Sequence, residues 1–362
     1  FGHVPLWYNG FTLFNIYPPG WVLFTYPLYK LFGDLMIATF VSTLILLTLG
    51  FVITWFFGKE LKLSVVKRIA FFIFIYANPM TIGAILKQGR IPSLMALDLL
   101  LLFFFLCVYF KDRPLNWKAL SFSLVYAGLI LTHQTETVLA SAFVLGLFLI
   151  KNKKEKIKLV LLMLLSIAFS SFWLVHFLKA TLETGFLQFG FGLWLLDWHS
   201  YFWNNLAGVL LALGLFVCFY LGYKQNKELR EILFFSPVLI FTFLYLTRLV
   251  IFVPILKNIY PDPWGDFITI NFVVLFLSLQ FTRITKKWKF FLAIALILIA
   301  ILSVGYNVLK TPMMEPWTER GEEAIALIPY LDQESHFMMF NDDTDGTLYS
   351  RAINSYAAIY YN

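Results

Sequence analysis

His133 and Glu136 stand three residues apart in HQTET (133–137), the most polar segment between two apolar stretches of this sequence. They share a face if a helix resumes at that point. Polar side chains in such a setting persist only where protein buries them or where they line water. Two interpretations stay open. One is a polar turn that is satisfied internally, and the other is a contact to a sugar or a phosphate, with His133 as hydrogen-bond donor and Gln134 beside it.

A second candidate is the pair Asp262 and Asp266, four residues apart in PDPWGD. If the intervening proline opens a helical turn, both carboxylates lie on one face near its positive end. Asp266 then caps the helix, or the pair contacts a ligand hydroxyl or a divalent cation, while Arg248 and Lys257 hold a lipid phosphate. Two carboxylates alone make a poor metal site, so we predict no resident metal. Together with Glu136, these acids are the candidates for a general base.

A third candidate is the turn KQGRIPS, which carries Lys87 and Arg90 between two apolar stretches. Arg90 is suited to bidentate contacts with phosphate oxygens. The alternative is that both side chains snorkel to lipid headgroups. Asp98 follows within the next apolar stretch, where an acid is expected to face the bundle interior with a partner. We expect Lys87 or Arg90 to be that partner, in a structural pair.

The opening segment is aromatic and rich in proline, and its YPPGW motif includes Tyr17 and Trp21. Two adjacent prolines fix a turn because each ring locks φ. Aromatic rings of this kind suit the headgroup level of a membrane. We therefore expect either a re-entrant surface loop that anchors the next span, or one wall of a cleft in which aromatic faces stack on a sugar or a lipid.

The composition sets the class of protein that must position these residues. Of 362 residues, 60% are hydrophobic and only 14% are charged, whereas soluble domains are about 45–50% apolar and about 25% charged. The net charge of +7 comes from basic clusters between apolar stretches rather than from a phosphate-binding face. A cytosolic enzyme, a disordered chain and a nucleic-acid partner are excluded, and the expected fold class is an all-α polytopic membrane protein in contact with lipids.

About ten stretches are long enough, or nearly so, to cross the hydrocarbon core as helices. The fourth and fifth are short and join through HQTET as a hairpin. The predicted spans are 35–57, 69–86, 92–110, 119–132, 138–150, 159–178, 206–223, 232–252, 267–282 and 290–309.

Basic residues predict the orientation of these spans. Five alternate connections carry 19 of the 28 basic residues: 58–68, 111–118, 151–158, 224–231 and 283–289. Cytoplasmic loops accumulate Lys and Arg. These five loops are therefore predicted to be cytoplasmic, in a protein of the plasma membrane whose binding groups and active face are extracytoplasmic.

The sequence divides into a transmembrane module over 1–309 and the beginning of an extracytoplasmic soluble domain over 310–362. The second segment holds nine acidic and three basic residues and ends in mixed polar sequence. We expect the chain to be a fragment, with at least one span preceding Phe1.

WYNG, six further residues, and then YPPGW before a long aliphatic span resemble the first external loop of GT-C-type membrane glycosyltransferases. The segments 75–102 and LTHQTET (131–137) are similar to the same group. The resemblance is greatest to archaeal and bacterial membrane proteins of that superfamily, some of them described as 6-pyruvoyl-tetrahydropterin-synthase-related.

This resemblance implies transfer of a sugar from a polyprenyl-phosphate donor to an extracytoplasmic acceptor. It also implies an acidic base soon after the first span, but no Asp or Glu precedes Asp34. The resemblance therefore assigns the base to none of these residues, and we expect it to precede Phe1. The alternative is a non-catalytic membrane component, such as a transporter of lipid-linked glycans or a scaffold of a surface assembly.

Overall fold

A computed structural model describes residues 3–4, 11–12, 17–77, 81, 91–184, 202–226, 228–253, 256 and 298. The chain divides into two compact units, Pro18–Thr311 and Phe1–Tyr17 with Pro312–Asn362. In the second unit, strands β1 (His3–Val4) and β2 (Phe11–Thr12) pair antiparallel, with His3 opposite Thr12. The predicted boundary at 309/310 stays a prediction.

The larger unit is helical throughout its described part. Its α-helices are α1 (Gly20–Phe32), α2 (Leu35–Glu60), α3 (Val65–Tyr76), α4 (Ile91–Lys111), α5 (Leu120–Thr132), α6 (Gln134–Ile150), α7 (Lys153–Thr184), α8 (Phe202–Asn226) and α9 (Leu229–Leu246). Short 3₁₀ turns cover Trp117–Ala119 before α5 and Leu249–Phe252 after α9.

Among the described residues, four helices are long and apolar enough to cross a membrane: Leu35–Glu60, Ile91–Lys111, Lys153–Leu182 and Leu229–Leu246. Shorter apolar helices cover Trp117–Thr132, Gln134–Ile150 and Gly208–Leu221. The mostly helical, membrane-type architecture is thus confirmed, whereas the number of ten spans stays a prediction. The ninth and tenth predicted spans, 267–282 and 290–309, lie outside the described residues.

The opening segment differs from the re-entrant loop expected there. Gly20–Phe32 is an α-helix of 13 residues, and Pro19 occupies its N-cap position. Proline is tolerated at a helix start because the N–H that it lacks would have no partner within the helix. The two prolines of YPPGW therefore start a helix, and Gly33 ends it in the left-handed conformation that glycine favours (φ 68°).

Helix α4 forms the centre of the bundle, and α1, α2, α5 and α6 all pack against it. It buries eleven side chains, most of them large and apolar. The long helix α2 packs differently, since mostly small residues recur at every fourth position of its buried face: Ala38, Ser42, Leu46, Gly50, Thr54 and Gly58. Small side chains let helix backbones approach closely where lipid provides no hydrophobic driving force.

Four of the five basic segments meet at one end of this bundle. Arg113 pairs with Glu60 at the end of α2, and Lys111 at the end of α4 pairs with Glu231 at the start of α9. The Lys151 ammonium, after α6, donates to the Arg113 carbonyl at 2.6 Å. Loops from alternate connections therefore share one end, as the spacing of basic clusters predicts. The fifth segment lies outside the described residues.

Candidate functional site

The polar cluster lies where α5 passes into α6. Thr132 ends α5, His133 is extended (φ −159°, ψ 132°), and α6 begins at once with Gln134. Glu136 falls in the first turn of α6, where the positive end of the helix dipole favours a carboxylate. It is fully buried, and its carboxylate contacts Nδ1 of His133, whose side chain is 37% exposed. The i, i+3 spacing therefore places the buried carboxylate of Glu136 against the partly exposed imidazole of His133.

Tyr245, near the end of α9, is the residue that sequence reasoning missed. It is fully buried and interacts electrostatically with Glu136. Their proximity follows from the antiparallel packing of α6 on α9, in which Gly146 lies against Phe234 toward the other end of both helices. Along the sequence, Glu136 lies about as far from Gly146 as Tyr245 lies from Phe234. This similarity predicts that Glu136 and Tyr245 are close only when the pairing of α6 with α9 is known.

Arg248 follows α9 at the same end of the bundle as Glu136. Its backbone is left-handed (φ 63°), which is uncommon for a residue other than glycine, and its side chain is only 5% exposed. The Arg248 N–H donates to the Tyr245 carbonyl at 2.9 Å, which closes the turn after the helix. A permanently charged guanidinium is thus held inside the protein, three residues beyond Tyr245.

Gly20 of the YPPGW motif lies beside this cluster. A Cβ added to Gly20 would stand 2.5 Å from the Leu131 carbonyl oxygen and 2.6 Å from Oγ1 of Thr132, so the start of α1 packs tightly on the end of α5. Trp21 is the next residue and packs against the core. Tyr17 is 60% exposed and belongs to the other compact unit.

The structure thus brings Trp21, His133, Gln134, Glu136 and Arg248 to the end of the bundle that lies opposite the basic loops. The remaining predicted site residues lie outside the described part of the chain: Lys87, Arg90, Lys257, Asp262 and Asp266. Within the described residues, no three His, Cys, Asp or Glu side chains are grouped so as to hold a metal ion.

Asp98 has a partner among the described residues, whereas its predicted pairing with Lys87 or Arg90, which lie outside them, stays a prediction. It is buried on α4, and its Oδ1 accepts a hydrogen bond from the Tyr76 hydroxyl of α3. The sequence pattern did not indicate Tyr76, because charge complementarity points to a base and not to a neutral donor. A neutral donor serves here because it costs less to bury than a second ion does.

Comparison with protein families matches residues 14–310 to the family described as 6-pyruvoyl-tetrahydropterin synthase related domain; membrane protein. Comparisons with curated proteins and with solved structures give no match. The matched segment includes the nine α-helices of the described residues and the polar cluster around Glu136. The chain therefore belongs to the family of 6-pyruvoyl-tetrahydropterin-synthase-related membrane proteins.

Proposed function

We propose that this membrane protein is a glycosyltransferase that moves a sugar from a polyprenyl-phosphate donor to an extracytoplasmic acceptor. The observation that carries the proposal is that Arg248 and the contacting pair His133 and Glu136 lie at the same end of the bundle, opposite the basic loops. That end would face the extracytoplasmic side if the basic loops are cytoplasmic. A lipid-linked donor would reach it laterally through the bilayer.

The chemistry required is a displacement at the anomeric carbon of the sugar. An acceptor hydroxyl forms the new glycosidic bond, the bond from the anomeric carbon to the phosphate oxygen breaks, and polyprenyl phosphate leaves with the electron pair. A base removes the hydroxyl proton. A cation near the leaving phosphate stabilises the negative charge that develops there.

Each residue of the cluster fits one part of this reaction. The buried Glu136 carboxylate orients the His133 ring through Nδ1, and a partly exposed imidazole in that position suits hydrogen bonding to a sugar or a phosphate. Arg248 offers a charge that does not titrate in proteins and a planar fork that matches phosphate oxygens. Among the described residues, Glu136 is the candidate for the base.

The experiment uses the full-length protein in proteoliposomes with radiolabelled polyprenyl-phosphate sugars and candidate acceptors. We expect transfer by the wild type and a loss of at least about tenfold in Arg248→Lys, because a point charge replaces the bidentate fork. Arg230→Lys is the matched control, since Arg230 is half-exposed at the opposite end, where it pairs with Asp112.

Three outcomes decide the proposal. Equal losses in both variants would contradict a specific role of Arg248. Absence of transfer by the wild type with every donor offered would overturn the glycosyltransferase assignment. Movement of the labelled lipid across the bilayer without transfer would instead favour a transporter of lipid-linked glycans.

A further inference from the structure

A buried carboxyl group lies at the junction of α2, α3 and α4, away from the polar cluster. Asp98 is 4% exposed, and its Oδ1 accepts the hydrogen bond from Tyr76. Gly50 of α2 provides the space, because a Cβ added there would stand 2.9 Å from Oδ1 of Asp98 and would overlap the Tyr76 ring. The junction is therefore built around this one acid.

The described surroundings of Asp98 offer no cation to compensate a negative charge. In the part of the chain that the structure describes, its hydrogen-bond partner is the neutral Tyr76 hydroxyl, and Oδ2 is buried without a partner. No described Lys, Arg or His forms an ion pair with it. An isolated carboxylate in an apolar interior is costly enough that such a group takes up a proton instead.

We propose that Asp98 is a proton-binding site inside the membrane bundle, held protonated at neutral pH. The protonated acid accepts from Tyr76 through Oδ1 and carries the proton on Oδ2. Release of the proton requires water or a cation to reach Oδ2, so exchange of this proton reports opening of the α2–α3–α4 junction. This site is independent of the proposed sugar chemistry, because it uses none of the residues of the polar cluster.

Infrared spectroscopy of the full chain in lipid nanodiscs at neutral pH tests the proposal. We expect the wild type to show the carbonyl band of a protonated carboxylic acid, and this band should disappear in Asp98→Asn. In the wild type the band should shift only slowly after transfer to D₂O. Asp112→Asn is the matched control, since Asp112 is exposed and ion-paired with Lys111 and Arg230, and it should remove carboxylate bands instead.

A second variant keeps the test decisive if Asp98→Asn does not fold. Tyr76→Phe removes the hydrogen bond to Oδ1 and should move the protonated carbonyl band to higher frequency. The proposal is overturned if Asp98→Asn removes carboxylate bands, which would indicate an ion pair with a base such as Lys87 or Arg90. It is also overturned if Tyr76→Phe leaves the carbonyl region unchanged.

Discussion

Gly146 of α6 lies directly against the carbonyl group of Phe234 on α9, so the two helices pack backbone to backbone at that point. Their antiparallel register then brings Glu136 and Tyr245 together toward the other end. The basic loops flank the first contact, through the pairing of Lys111 with Glu231. The close packing of α6 on α9 near the charged end of the bundle thus fixes the register that places Tyr245 near Glu136 at the candidate site.

Replacement of Gly146 tests the importance of this approach. A Cβ at Gly146 would overlap the Phe234 carbonyl oxygen, which cannot move away without shifting α9. We expect Gly146→Ala to lower the free energy of unfolding by about 1–3 kcal/mol, measured by thermal unfolding in detergent. Gly214→Ala is the control, because no described atom lies within 4 Å of a Cβ at that position. It should be neutral or stabilise by up to about 1 kcal/mol. Equal effects of the two substitutions would contradict the role of Gly146.

The ion pair between Lys111 and Glu231 is expected to stabilise the protein more than the neighbouring exposed ion pairs of Asp112 do. The two side chains are 14% and 20% exposed, so loss of one partner leaves a poorly hydrated charge. We expect Glu231→Gln to lower the free energy of unfolding by about 1.5–3 kcal/mol. Asp112→Asn, with a side chain 63% exposed, should cost less than about 1 kcal/mol. A loss for Asp112→Asn as large as that for Glu231→Gln would contradict this ranking.

Lys151 should make stability depend on pH in the alkaline range. Burial lowers the pKa of its ammonium group below the ordinary value, although Glu155 acts in the opposite direction. Between the lowered pKa and the ordinary one, the unfolded chain binds more protons than the folded protein, so stability rises with pH. We expect wild type to gain stability relative to Lys151→Met as the pH rises through this window, in parallel unfolding curves. If the stability of the wild type relative to Lys151→Met fell as the pH rose, the prediction would be wrong.

Arg248 has a backbone conformation that favours glycine. The effect of this conformation on the free energy of unfolding can be measured separately from the proposed role of the side chain in sugar transfer. At φ 63°, Arg248→Gly should be more stable than Arg248→Ala by about 1 kcal/mol, because a Cβ disfavours the left-handed region. At Lys224, within α8, the same comparison should favour alanine by about 1 kcal/mol. Both Arg248 variants should lose sugar transfer in the proteoliposome assay. Retained transfer in Arg248→Gly would remove Arg248 from the proposed mechanism.

Much of the fold was predictable because it depends on local properties of the sequence. Apolar stretches predicted α2 and α4 to within three residues and α7 and α9 to within six, since burial in lipid requires continuous hydrophobicity. Alternation of the basic loops predicted that all five lie on one side, and the four that the structure describes share one end. The helix of the opening segment escaped prediction, because its prolines were interpreted as a turn when they precede and start a helix.

The candidate site was predictable only in part. The contact between His133 and Glu136 follows from i, i+3 spacing between the N-cap residue and the first turn of α6, so the sequence by itself determined it once α6 began at Gln134. The positions of Tyr245 beside Glu136 and of Tyr76 beside Asp98 depend on which helices are neighbours and in which register they pack. Only the tertiary structure decided these positions. Small residues such as Gly146 and Gly50 determine how closely two helices pack because they leave room for the neighbouring helix. Hydrophobic periodicity does not predict which small residues have this effect.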